Sequence, residues 1–424
     1  MKVLWFTNTP ANADEFFNSE LKDSGGWLKA LDQSLQNHVE LHIAFYGKRN
    51  EVFKYKETFY HSIKTDLSLY KKLLNRITNK VLEKEDLFKY MEIIKKAEPD
   101  IIHIHGTENS YGCIATHTTI PIVVSIQGNM TVYLHKYLSG FERQYLYISN
   151  RNTSSLKDLL FPHTFLNSIK KFRKMQIQEE NNLKHVKFII GRTEWDKRIT
   201  RVLSTESEYF IGDEILRKSF YNYQWSMHTS KKTVIHTTNG NFLYKGFENL
   251  CLTLFELNKI GFACEWQVAG ISEKDLIVKL TKRKLKDKFP RKGLILLGNL
   301  NEKELIENML RTDIYVMVSH IENSPNNLCE AMILGMPCIS TFVGGVGSLI
   351  RDGKDGILIQ DSDPWVMAGA IIEMAVNKEK AIRLGINGRK TALKRHDRDR
   401  IISDLLKVYE NILIKENNDR RTSI

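Results

Sequence analysis

Short apolar runs alternate with amphipathic stretches along the chain. The runs at 3–6, 39–45, 101–105, 122–126 and 187–190 read as strands buried on both faces. Between them the spacing predicts helices over 27–35, 67–97 (with breaks) and 165–184. The alternation restarts at 233, with strands at 234–236, 266–268, 294–297 and 314–318 and helices opening near Phe247, Glu273 and Glu302. Strands alternating with helices imply parallel sheets joined by right-handed crossovers. Two such series predict an α/β chain of two doubly wound, Rossmann-like domains facing across a cleft, with ligands at the carboxyl ends of the strands. The boundary is placed in the mixed polar segment 212–231, giving domains at 1–215 and 216–400. The segment 401–414 reads as an amphipathic helix, and the polar tail 415–424 is expected to fray.

The most informative local pattern runs from Ser319 to Met332, Ser-His-Ile-Glu-Asn-Ser-Pro-Asn-Asn-Leu-Cys-Glu-Ala-Met. Ser324 followed by Pro325 reads as an N-cap with proline at the first helical position, and Gly335-Met336-Pro337 as the stop. Glu322 then sits in the loop after a strand, and Glu330 lies more than a turn into the helix. The first-turn N–H groups between them can receive an anion. A phosphate there, with a carboxylate on either side for hydroxyls, suits a nucleotide sugar. A pair of glutamates alone would be weak evidence, since an exposed helical Glu is usually only solvated. A second apolar strand at 337–342, the glycine-rich turn Val343-Gly344-Gly345-Val346-Gly347-Ser348 and the turn Arg351-Asp352-Gly353-Lys354-Asp355-Gly356 strengthen it.

This order of elements resembles the carboxyl-terminal half of the retaining GT-B glycosyltransferases, specifically glycosyltransferase family 4, the glycosyl transferases group 1 domain. The resemblance is strong over 231–375 and weaker over the first 215 residues. It implies a GT-B fold, a last helix crossing back to the first domain, and retaining sugar transfer from a UDP- or GDP-linked donor without a cofactor or metal. By the same resemblance Glu330 takes the ribose hydroxyls, and Glu322 takes the sugar hydroxyls and supports the oxocarbenium-like transition state. Ser324, Asn326, Asn327, Leu328 and Gly345 complete the donor-binding set. Lys245, in Leu243-Tyr244-Lys245-Gly246, matches the family's diphosphate lysine. Five residues earlier, where relatives commonly carry arginine, this chain has Gly240, with Asn239 and His236 as the nearby polar groups. Ser348 also stands where relatives often have Glu.

Arg192, after the last strand of the first series, is the candidate replacement for that arginine. The competing reading pairs it with Glu194 or Asp196. His103 and His105 share a strand face, but no third ligand has metal spacing, so His105 is read as lining the cleft. Gln127 stands where relatives often have a histidine; it can bond a hydroxyl but cannot carry a proton. Gly25 and Gly26 open the first helix, where a glycine pair lets acceptor or donor approach the backbone, or merely makes a turn. Asp361-Ser362-Asp363 mimics a metal motif, yet Asp363 before Pro364 reads better as an N-cap.

The 424 residues carry a net charge of +12, which favours an anionic partner. Five scattered cysteines suggest neither a disulfide framework nor a zinc site. The first residues read as a strand rather than a signal peptide, and no run is long enough to span a bilayer, so a cytoplasmic chain is expected. No nucleic-acid-binding signature is present. Two segments combine basic and apolar residues without an acidic one: Lys71, Lys72, Arg76 and Lys80 in the first, Lys170, Lys171, Arg173 and Lys174 in the second. Either is a solvated helix face or a contact with anionic membrane at its inner surface. The reading is a hexosyltransferase of bacterial surface-polysaccharide assembly, acting on a saccharide or polyprenyl-linked acceptor. A GT-B sugar-nucleotide epimerase and a non-catalytic, basic peripheral-membrane protein are the alternatives.

Overall fold

The computed structural model describes residues 1–14, 26–64, 84–142, 144–145, 165–227 and 232–422. Within it the chain forms two compact units.

The first unit comprises Met1–Thr131, Phe172–Arg217 and His396–Ile424. Its sheet has the order β3-β4-β2-β1-β5-β6-β7-β8. The strands are β1 (Lys2–Thr7), β2 (Glu40–Gly47), β3 (Glu51–Tyr55), β4 (Thr58–Lys64), β5 (Ile101–His105), β6 (Ile122–Ser125), β7 (Phe188–Gly191) and β8 (Glu208–Ile211). All neighbours run parallel except β3 on β4. Alternation along β1 explains its unbroken apolar run. Val3 and Trp5 enter one core with Leu28, Leu35 and Ile43, while Leu4 and Phe6 enter the opposite core with Ile94, Ile104 and Tyr111. Each such side chain, fully buried, contributes about 1.5–3 kcal/mol.

The last helix, Arg398–Thr422, groups with this first unit, as the resemblance implied. It lays Ile401, Tyr409 and Ile412 into the β1 core. The Tyr409 hydroxyl accepts from Trp5 Nε1 at 3.2 Å and bonds His103 Nδ1 at 2.6 Å. The expectation of a frayed tail from 415 is corrected: Lys415 pairs with Glu208, Glu416 with Lys187 at 2.9 Å, and Arg420 donates to the Thr119 carbonyl at 2.6 Å. These contacts hold the polar turns helical.

The second unit comprises Val132–Lys171 and Lys218–Arg395. Its parallel sheet has the order β11-β10-β9-β12-β13-β14. The strands are β9 (Thr233–Thr238), β10 (Cys264–Ala269), β11 (Leu294–Gly298), β12 (Ile314–Met317), β13 (Cys338–Thr341) and β14 (Ile357–Ile359). Grouping of Val132–Lys171 with this unit departs from the sequence division, which left that stretch in the first domain. The helix Phe165–Leu183 forms as expected, with Phe165 and Phe172 buried and Lys170, Lys171 and Arg173 exposed. Lys71, Lys72, Arg76 and Lys80 lie outside the described residues, as does the 228–231 part of the expected boundary segment.

Candidate functional site

In the second unit the carboxyl ends of β9 and β12 bring one basic and two acidic side chains into one neighbourhood. Lys245 ends a short 3₁₀ turn, Leu243–Lys245, followed by Gly246 and the helix Phe247–Lys259. A Cβ on Gly246 would lie 2.0 Å from the Val318 carbonyl, so only glycine lets this turn press against the end of β12. The contact delivers Lys245 Nζ to Glu322 Oε1 at 2.6 Å. Ser319 Oγ donates to the same oxygen at 2.7 Å. Glu322 is buried, and its backbone carbonyl accepts from Gly345 N at 2.9 Å. Gly344, at φ +49°, is the glycine of that loop the fold requires: a Cβ there would sit 1.9 Å from the Glu322 carbonyl oxygen.

The helix after this loop spans Asn326–Leu334, with Pro325 rather than Ser324 in the capping position. The sequence reading was therefore one residue early. Proline offers no capping side chain, and no side-chain cap bond is made there. Asn327 takes part of that role, accepting from Leu328 N at 2.9 Å and donating to the Thr238 carbonyl at 2.7 Å. Asn326 leaves a buried side-chain oxygen without a hydrogen-bond partner. Ser324, Leu328 and Glu330 are all buried. Tyr315 on β12 reports both glutamates: burial first, then Cys338, Glu330 and Glu322, push its phenol well above the ordinary range. Glu322 and Glu330 thus act on one environment, although eight positions separate them.

One neighbour was invisible to sequence reasoning. His320, fully buried between Ser319 and Ile321, bonds Glu248 Oε1 through Nε2 at 2.6 Å and Asp361 Oδ1 through Nδ1 at 2.7 Å. Burial opposes the imidazolium, but the two carboxylates outweigh it and hold the pKa up at about 9. The sequence spacing of the two glutamates could not disclose this group, whose partners lie 72 and 41 positions away. Asp363 caps the helix Pro364–Val376 by accepting from Val366 N at 3.0 Å, as its sequence suggested. Its neighbour Asp361 serves His320 instead.

The remaining candidates lie in the first unit. Arg192 follows β7 and is buried, its guanidinium over the Trp27 ring at 4.7 Å and 3.7 Å from Glu214. Asp196 accepts from the Arg192 backbone N–H at 2.8 Å and closes the capping box of the helix Glu194–Leu203. His105 ends β5, stacked on His103 with ring centroids 3.8 Å apart and edge-on to Trp5. Both of its ring nitrogens are buried without a hydrogen-bond partner. Burial, then His103 and Arg192, hold it well below the usual imidazole range. Gln127 is half-buried just after β6. Gly26 begins the helix Gly26–Leu35, where a Cβ would meet the Arg217 side chain at 2.8 Å. Gly25 lies outside the described residues.

No helix among the described residues is long and apolar enough to cross a membrane. Comparison with known proteins agrees with this arrangement. Residues 215–391 match the family model for glycosyl transferases group 1, and residues 19–159 match that for glycosyl transferase 4-like proteins. The chain is 26% identical over 119 residues to the N-acetyl-alpha-D-glucosaminyl L-malate synthase of Bacillus anthracis, covering 28% of this chain and 31% of that one. It is 33% identical over 89 residues to the UDP-Gal:alpha-D-GlcNAc-diphosphoundecaprenol alpha-1,3-galactosyltransferase of Escherichia coli, covering 21% and 22%. The matches thus span less than a third of these relatives. Over 97% of its length the fold resembles the sucrose-phosphate synthase of Thermosynechococcus elongatus, with a TM-score of 0.70, 12% identity and 99% of that chain covered. Alr3699/HepE of Anabaena, solved in complex with UDP and glucose, gives 0.65 at 12% identity, covering 97% and 99%. Two parallel-sheet units of this kind and a near-complete fold match give the chain the GT-B fold, with residues 215–391 belonging to the glycosyl transferases group 1 family and residues 19–159 to the glycosyl transferase 4-like family.

Proposed function

We propose that this glycosyltransferase moves a hexose from a UDP- or GDP-linked donor to a saccharide or lipid-linked acceptor, with retention of anomeric configuration. The observation that carries the reading is the 2.6 Å Lys245–Glu322 pair at the entry of the Asn326–Leu334 helix, with Glu330 buried further along it. Lys245 is placed to exchange Glu322 for the donor diphosphate, neutralising charge on the leaving group as the anomeric C–O bond breaks. Glu322 then turns to the sugar hydroxyls, and Glu330 takes the ribose. Ser324 before the helix, the first-turn residues Asn326, Asn327 and Leu328, and Gly345 surround the diphosphate. The acceptor oxygen attacks the same face, and its proton passes to the departing phosphate oxygen, so no metal or cofactor is invoked.

In this reading Arg192 supplies the second cation that Gly240 does not. Gly26, His105 and Gln127 line the acceptor side. The diphosphoundecaprenol acceptor of the Escherichia coli relative and the UDP of the Anabaena structure support a polyprenyl-linked acceptor and a nucleotide donor. The exposed basic face of the helix Phe165–Leu183 supports contact with an anionic membrane surface. The reading is tested by incubating the protein with a panel of UDP- and GDP-sugars and polyprenyl-diphosphate saccharides, following products by NMR. An α-linked product from an α-linked donor is expected. Epimerised donor without transfer overturns the transferase in favour of an epimerase, and an inverted linkage overturns retention. Sedimentation with phosphatidylglycerol vesicles tests the membrane contact. Binding that is lost in high salt, and in a variant with Lys170, Lys171 and Arg173 changed to Glu, is expected; salt-independent or absent binding overturns it.

A further inference from the structure

We propose that Glu248, His320 and Asp361 form a charged clamp that positions the Lys245–Glu322 pair, making His320 a positioning residue for glycosyl transfer. This inference rests on the transferase reading above.

The charge state follows from geometry. His320 meets a carboxylate oxygen at each ring nitrogen, 2.6 Å to Glu248 and 2.7 Å to Asp361. A carboxylate can only accept, so both nitrogens must donate, which only the imidazolium does. The clamp also joins the two pieces of backbone that carry the reacting pair. His320 N donates to the Tyr244 carbonyl at 2.8 Å, one residue before Lys245. Glu248 follows Lys245 by three residues, across the tight contact at Gly246, and Glu322 follows His320 by two. From the third side, Thr341 Oγ1 donates to the Ser319 carbonyl at 2.6 Å, fixing the residue whose hydroxyl holds Glu322. The imidazolium therefore straps the turn of the lysine to the loop of the glutamate.

The site is sealed on another side by Gly140. A Cβ there would lie 1.9 Å from Glu248 Oε1 and 3.0 Å from His320 Nε2, so a bare backbone covers the pair. Lys284 Nζ donates to the Gly140 carbonyl and lies over the Phe141 ring at 4.9 Å. The other groups that face the clamp are Ser362, whose hydroxyl is 3.4 Å from His320 Nδ1, Lys136 acting on Asp361, and Cys251 beside Glu248. A buried ion triple of this kind is a weak source of stability, because apolar replacements of similar volume are often as stable. Its effect here is geometric: it admits one arrangement of the Lys245 turn against the Glu322 loop.

The test compares wild type with His320→Asn and, should that variant fail to fold, with Asp361→Asn, which keeps the Glu248 bond. Nitrogen-15 NMR of the imidazole at pH 8 is expected to show both ring nitrogens protonated in wild type; a neutral ring overturns the clamp. In a crystal structure of either variant the Lys245–Glu322 contact is expected to be broken; a contact retained at about 2.6 Å overturns the positioning role. Neither readout depends on turnover, so a wild type inactive on every nucleotide sugar sinks the transferase reading without deciding the clamp. With turnover in hand, kcat is expected to fall at least tenfold in His320→Asn and KM for the donor to change less than threefold. Wild-type kcat is expected to fall as pH rises through about 9, and that limb to vanish in the variant. A raised KM with kcat intact, or an unchanged alkaline limb, overturns the proposal.

Discussion

Two buried histidine sites in this chain stand in opposite states. His320 in the second unit has a carboxylate on each nitrogen and a pKa raised to about 9. His103 and His105 in the first unit are stacked in the sheet interior, where burial holds His103 down at about 3 and His105 well below the ordinary range. Burial is essentially complete in both places, so it cannot be what separates them. Partners decide: His320 has two anions, whereas His103 has the hydroxyls of Tyr409 and Ser125 and His105 has nothing on either nitrogen. One site keeps a cation next to the Lys245–Glu322 pair, and the other keeps two neutral rings in a core.

The largest expected effect breaks the charged side of this comparison. Lys245→Ala removes the cation opposite Glu322 and is expected to lower turnover at least tenfold, about 1.4 kcal/mol of barrier or more. An unchanged rate in steady-state kinetics would return Lys245 to an ordinary surface ion pair. Glu330→Ala is expected to weaken donor affinity by roughly tenfold, about 1.4 kcal/mol by calorimetry, with a smaller change in kcat. Glu322→Ala is expected to do the reverse, so equal effects on KM and kcat in both variants would erase the separate assignments.

The same contrast has a signature in stability against pH. A histidine whose pKa is raised on folding stabilises most below its unfolded value near 6.5, and loses that contribution as pH rises through its folded value. His320 therefore gives a decline between about pH 6.5 and 9. The His103–His105 pair has the opposite sign. Its folded pKa values are depressed, so stability is intact above about 6.5 and falls as acid protonates the unfolded chain first. Unfolding midpoints measured from pH 4 to 10 should fall on both limbs. His320→Asn should flatten only the alkaline limb, and a variant that flattens both would show that the two sites do not act separately.

Much of this could be read from the chain, for physical reasons that also mark where reading stops. β1 and β12 are buried on both faces, so their apolar runs are continuous and unambiguous. β3 at the sheet edge alternates half-buried and exposed positions with Lys54 among them, and the sequence gives no apolar run there. The capping role of Asp363 is local, its partner Val366 three residues on, and was legible. The clamp on His320 is assembled by topology from a helix start, which carries Glu248, and the loops after β12 and β14, and no spacing rule connects Glu248, His320 and Asp361. Gly240 shows the limit of family pattern: the common arginine is missing although a Cβ there would make only an ordinary 3.5 Å contact with Phe242. Sterics did not exclude the arginine from this position.

The smallest expected effect sharpens the neutral side. His105 buries two unpartnered ring nitrogens, and leaving a buried polar group unsatisfied costs about 1–3 kcal/mol. Leucine cannot reproduce the stacked and edge-on ring contacts with His103 and Trp5, so part of that gain is returned as lost packing. The two terms nearly cancel, and His105→Leu is expected to change stability at pH 8 by less than about 1 kcal/mol in denaturant titration. Below pH 6 the variant should gain on wild type, because it has no imidazole to protonate on unfolding. If His105 also faces the acceptor, as proposed, the KM for acceptor should rise while stability holds. A stable variant with unaltered acceptor kinetics would confine His105 to the core, and a strongly destabilised one would mean that its nitrogens are satisfied after all.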